Sequence, residues 1–139
     1  MNPRARLCPQ LPVPVLETAD LAASVAWYAG VLGFVVEQRV PGVVAVLRIA
    51  GGARLQLWQV PEAEPQDCCI VVEAPTCIFH CHARIASAAR TWVSPTPALR
   101  AWGAWEFCVP DLHGNQLRFI QWANAGAETE PVRRQGRRA

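Results

Sequence analysis

The sequence contains no lysine, and all thirteen of its basic residues are arginine. It has no run of the ~18–20 apolar residues that a helical membrane span requires. The first ten residues are polar and proline-containing, with no apolar leader core. These absences argue against a membrane-inserted chain and make the cytoplasm the expected compartment. Charge is also sparse. Only 17% of residues are charged while 52% are hydrophobic, a balance that excludes a disordered chain. At 139 residues the chain is long enough for one domain with a buried core.

A basic stripe is missing as well. The formal net charge of +2 comes from the termini, where Arg4, Arg6, Arg133, Arg134, Arg137 and Arg138 lie. Residues 7–127 carry seven arginines against nine acidic residues, so the folded part is mildly acidic. That excludes a nucleic-acid surface built on the fold. Residues 1–11 are expected to form a flexible arm and 123–139 a disordered basic tail. The six cysteines read as reduced thiols in a cytoplasmic protein. Cys68 and Cys69 are adjacent, so on a strand they face opposite ways and do not pair. No nucleophile elbow, phosphate-cradling glycine loop or convergent Cys–His arrangement occurs.

What is present is a pattern that runs twice. Pro12 to Thr18 reads as a strand, with Pro14 pointing to a sheet edge or a crossing between subunits. Asp20 is a candidate cap for a helix whose apolar face is Leu21, Val25, Tyr28 and Leu32, and Gly33 stops it. Strands are expected at Val35–Val40, Val43–Ile49 and Arg54–Val60, separated by Pro41-Gly42 and Gly51-Gly52. After a proline- and glutamate-rich linker the order restarts. Cys68–Glu73 reads as a strand, and Thr76 as the cap of a helix reaching about Arg90. Thr91–Arg100 reads as an irregular strand or loop. A hairpin of Ala104–Val109 and Gln116–Trp122 then closes around Asp111–Asn115.

The repeat extends to individual residues. The segment from Gly52 to Gln59 aligns without a gap on Gly114 to Gln121. Two copies at this spacing are too few for a solenoid. They fit an α+β fold of two βαβββ modules, about 12–60 and 67–122, within a single domain over 12–122.

The chain resembles the glyoxalase/bleomycin-resistance/dioxygenase (vicinal oxygen chelate) superfamily, and within it the bleomycin-resistance proteins. The resemblance rests on Val13-Pro-Val-Leu16, Asp20-Leu21, Trp27-Tyr28, Leu32-Gly-Phe34, Trp102-Gly103, Glu106-Phe107 and Asp111-x-x-Gly114-Asn115, the last leading into Leu117-Arg-Phe-Ile-Gln121. It implies curved mixed sheets around a cleft, and a strand-exchanged homodimer whose clefts are shared between subunits. The enzymes of the superfamily place His or Glu ligands on the concave face. Carried over, those positions are Val13, Gln56, Asp67 and Arg118. Valine has no donor and arginine has no lone pair for a cation, so neither a metal nor another cofactor is expected. A separate group, Cys77, His80 and Cys81, falls on one side of the second helix but lacks a fourth ligand, so packing is the simpler role.

Six tryptophans are many for this length: Trp27, Trp58, Trp92, Trp102, Trp105 and Trp122. Trp27 belongs with the core. Strand alternation turns Leu55, Leu57, Leu117 and Phe119 to the helices and Arg54, Gln56, Trp58, Gln116, Arg118 and Ile120 to the cleft. Trp102 matches an aromatic that bleomycin-resistance proteins carry in the same motif. The candidate ligand-binding residues are therefore Trp102, Arg118, Gln56, Trp58, Trp105 and Trp92, with core packing as the alternative for each tryptophan. Such a cleft suits a planar aromatic small molecule, an antibiotic of the bleomycin type or another natural product. The expected activity is binding and sequestration rather than catalysis. Two alternatives are a metal-dependent lyase, isomerase or dioxygenase, and an interaction module with a vestigial cleft.

Overall fold

The computed structural model describes residues 13–49, 53–89 and 95–123. The first half comprises β1 (Val15–Thr18), α1 (Leu21–Val31), β2 (Val35–Val40), β3 (Val44–Arg48) and β4 (Arg54–Gln59). The second comprises β5 (Asp67–Val71), α2 (Ile78–Ala88), β6 (Ala98–Leu99), β7 (Ala104–Pro110) and β8 (Gln116–Trp122). Each half forms one four-stranded mixed sheet, ordered β1-β4-β3-β2 and β5-β8-β7-β6. In both, the first and last strands pair parallel and the remaining pairs are antiparallel. The α+β class and the two βαβββ modules are thus as the sequence pattern predicts. Pro14 continues β1 on the edge of its sheet, where its carbonyl accepts the Gln56 N–H at 2.8 Å.

Local chemistry sets the helix ends. Asp20 accepts the Ala23 N–H at 3.1 Å, satisfying one of the donors that the first turn of α1 leaves open. The helix stops where Gly33 takes a φ of 78°, a left-handed turn that a glycine adopts without strain. The second helix departs from expectation. Its cap position is Cys77, not Thr76, and that side chain makes no capping bond. The acceptor comes instead from β8: Gln121 Oε1 takes the Ile78 N–H at 3.0 Å, and its Nε2 donates to the Thr76 carbonyl at 2.7 Å. A distant amide does the work that a local hydroxyl was expected to do. The helix also ends at Ala88, short of Arg90, which lies outside the described residues.

Leu55, Leu57, Leu117 and Phe119 are completely buried beneath the helices, in one core that joins both halves. Each such side chain contributes about 1.5–3 kcal/mol relative to exposure. A buried polar clasp ties the halves together. The Tyr28 hydroxyl of α1 donates to Asp111 Oδ2 at 2.7 Å, in the turn between β7 and β8. Asp111 also accepts from the His113 and Asn115 N–H groups and from Asn115 Nδ2. Asn115 Nδ2 donates onward to the Glu17 carbonyl at 3.0 Å.

Candidate ligand-binding site

The faces of the two sheets that turn away from the helices carry the candidate site. On β8, Arg118 stands between two cysteines on neighbouring strands, Cys69 of β5 and Cys108 of β7. Glu106 lies one alternation along β7 and is buried, with 7% of its surface exposed. It accepts from two arginines: Arg100 Nε reaches Oε1 at 2.7 Å, while Arg118 Nε and Nη2 reach Oε2 at 3.0 and 2.9 Å. Burial pushes the Glu106 carboxyl upward, but the hydrogen bonds from Arg100 and Arg118 and their charges outweigh it and hold the group below its ordinary range. Glu106 is therefore ionised and its lone pairs are engaged. Burial raises the thiols of Cys69 and Cys108, so both stay protonated near neutral pH and add no charge.

Beside this cluster stands an aromatic wall. Trp102, in the turn between β6 and β7, meets Trp122 of β8 edge to face, with ring centroids 5.5 Å apart. Both indoles are about half exposed. The turn is closed by the Gly103 N–H bonding the Arg100 carbonyl at 3.0 Å, and Gly103 adopts a φ of 93°. Bonding of the Ala123 N–H to the Gly103 carbonyl at 2.9 Å brings the end of β8 alongside.

Gln56 and Trp58 occupy the other sheet, on β4, where Trp58 Nε1 donates to Gln56 Oε1 at 2.8 Å. Among the described residues the two sheets share no strand pairing, so the structure gathers Arg118 and Trp102 on one sheet and Gln56 and Trp58 on the other. Ile120 has the alternation expected for the cleft yet is buried. Trp105 lies on the opposite face of its sheet from Arg118. It packs edge to face on Phe79 of α2, at 5.0 Å between centroids, and joins the core side of the sheet. Its strand shows why: Trp105, Phe107 and Val109 form an apolar row that alternates with Ala104, Glu106 and Cys108. Trp92 lies outside the described residues.

Arg100, Glu106 and Trp122 are functional candidates that sequence reasoning left out. Glu106 belongs to a motif already singled out, but its partners emerge only from the register, which sets Ala98 and Ile120 against it and Cys108 against Arg118.

The family model described as "Glyoxalase/Bleomycin resistance protein/Dioxygenase superfamily" matches residues 10–138. The chain belongs to this superfamily. Among curated proteins no relative matches it. Solved structures share its fold. A bleomycin resistance determinant encoded on the transposon Tn5 has a TM-score of 0.69 at 22% identity, over 81% of this chain and 97% of that one. A bleomycin-binding protein complexed with bleomycin has a TM-score of 0.67 at 23% identity, over 81% and 98%. Lactoylglutathione lyase from Agrobacterium tumefaciens has a TM-score of 0.65 at 16% identity, over 84% and 96%.

The resemblance places the ligands of a superfamily metal at Val13, Gln56, Asp67 and Arg118. Gln56 Oε1 already accepts from Trp58, Arg118 offers only donors, and Val13 has no polar side-chain atom. Asp67 is exposed and paired in register with Gln116, a different strand position from Arg118. Among the described residues no three His, Cys, Asp or Glu side chains converge on a common point, the Cys77, His80 and Cys81 group included. The residues present do not fit the superfamily's metal.

Proposed function

We propose that this protein binds a planar aromatic small molecule stoichiometrically and without a metal, in clefts shared between the subunits of a homodimer. The reading rests on one observation above others. Where an enzyme of this superfamily would hold a ligating carboxylate or imidazole, Arg118 stands, anchored by buried Glu106 and accompanied by the half-exposed Trp102–Trp122 pair. Stacking on indoles contributes roughly 0.5–1.5 kcal/mol per aromatic pair beyond area burial, which suits a flat conjugated ligand. The sheet of a second subunit would bring Gln56 and Trp58 into the same cleft. The bleomycin-binding neighbour makes an antibiotic or related natural product the first ligand class to try.

Tryptophan-quenching titrations with a panel of planar drugs, alongside elemental analysis of protein purified without chelators, test this. Saturable quenching at one ligand per cleft with no bound metal is the expected result. Stoichiometric zinc, nickel, iron or manganese held at Gln56 and Asp67 would instead favour the metal-dependent lyase reading, which the fold likeness to lactoylglutathione lyase keeps in view.

A further inference from the structure

We propose that Arg100 and Arg118, braced by Glu106, form a carboxylate-binding subsite, so that the aromatic ligands taken by this cleft are acids. The inference rests on the binding function proposed above and specifies its ligand class.

The argument starts from what Glu106 has left to offer. Both of its oxygens are occupied by guanidinium donors, and the side chain is buried. A ligand cation therefore finds no free carboxylate there, only two arginines. Each guanidinium has five N–H donors, of which Arg100 commits Nε and Arg118 commits Nε and Nη2 to Glu106. The arginine side chains remain 47% and 44% exposed. The cluster thus carries one net positive charge and several donors at the surface, held in place by a buried anchor. Such bracing lowers the ordering cost that two long flexible side chains would otherwise incur on binding an anion. The groups facing Arg118 from its neighbouring strands are the protonated thiols of Cys69 and Cys108, which do not offset that charge. Asp67 is the next carboxylate along β5, exposed and in register with Gln116.

The aromatic wall lies at a useful distance. The Arg100 N–H bonds the Ala104 carbonyl, and Ala104 is in register with Trp122. Arg100 and Trp122 are thus two strand spacings apart, about 10 Å between backbones, with the small Ala104 between them. Trp102 follows Arg100 by two residues and meets Trp122. A flat acid can lay its ring on the indoles while its carboxylate reaches the guanidinium pair. The first sheet has a comparable trio, Arg48, Glu37 and Arg54, but its carboxylate is more exposed and among the described residues no indole pair stands beside it.

Three matched probes test the proposal by calorimetry on the full-length protein: naphthoate, naphthamide and naphthylmethylammonium. Naphthoate should bind about tenfold or more tightly than either of the others, as expected for charge-assisted hydrogen bonds. Arg118→Met and Arg100→Met should each remove most of that preference, weakening naphthoate far more than naphthamide, whose neutral carbonyl loses only an uncharged acceptor contact, and Arg118→Lys should be intermediate. Both arginines are half exposed, so these variants are expected to fold, with circular dichroism as the check. If naphthamide or the ammonium probe binds as well as naphthoate, the carboxylate subsite is wrong and the aromatic-binding function survives. Naphthoate preference that persists in both methionine variants also overturns the subsite. If none of the three binds, both proposals fall.

Discussion

Gln59 and Gln121 perform the same task in the two halves of the molecule. Each is at the end of its half's last strand, and each accepts the first helical N–H of its own half. Gln59 Oε1 takes Leu21 at 2.9 Å, and Gln121 Oε1 takes Ile78 at 3.0 Å. The internal repeat therefore preserves a polar tie between sheet and helix as well as a burial pattern. Replacing either glutamine by alanine should cost about 1–2 kcal/mol, since it leaves a helix N-terminal donor without its acceptor. Gln121→Ala should cost more than Gln59→Ala, because α1 retains the Asp20 cap whereas α2 has no side-chain cap. Urea denaturation of the two variants checks the order, and equal losses would contradict it.

Tyr28 makes an alkaline signature available. It is the single tyrosine of the chain, and burial first, then the Asp111 charge and hydrogen bond, raise its pKa far above the ordinary value. A raised phenol pKa contributes stability in full below the unfolded value of about 10, and that contribution is lost as pH rises above it. Cys68, pushed up to about 11 by burial, acts in the same direction. Tyrosinate absorbance should therefore appear only together with unfolding. In Tyr28→Phe the unfolding free energy should fall by about 1–3 kcal/mol, for loss of a buried bond to a charged acceptor, and the denaturant midpoint with it. Tyrosinate forming in the folded protein near pH 10 would show that the clasp with Asp111 does not hold.

Trp102 distinguishes ligand contact from interface packing. Trp102→Ala should weaken a bound planar ligand by about 1–3 kcal/mol, as truncating an aromatic anchor commonly does. Trp122→Ala should follow it, because the two rings support each other. Both variants should remain folded and dimeric. Loss of the dimer with unchanged affinity per folded site would make Trp102 structural.

Every residue of β2 is exposed, and Val35, Val36 and Val40 are among the exposed apolar side chains of the chain. β2 and β6 are also open sheet edges in the single chain. Soluble proteins seldom leave apolar edges uncovered, and a two-fold dimer would cover them. Light scattering at micromolar concentration should give twice the chain mass. A monomer would remove the shared cleft and with it the meeting of Gln56 and Trp58 with Arg118.

The sequence by itself determined the order of elements, the twofold repeat and the inward face of β4 and β8. Alternation of apolar and polar residues is a local property, and Leu55, Leu57, Leu117 and Phe119 display it without reference to the rest of the chain. It also pointed to Arg118 on the outward face. The tertiary structure decided which groups Arg118 answers to. Glu106 lies twelve residues from Arg118 and six from Arg100, on three different stretches of chain that only strand register brings together. Tyr28 and Asp111, 83 residues apart, are joined only when the two halves pack. The contact of Trp105 with Phe79 likewise forms only when α2 packs on the sheet, although the apolar row of Trp105, Phe107 and Val109 is itself a local alternation. Long-range polar pairs leave no periodic trace in a sequence, because their geometry depends on register and packing rather than on spacing along the chain.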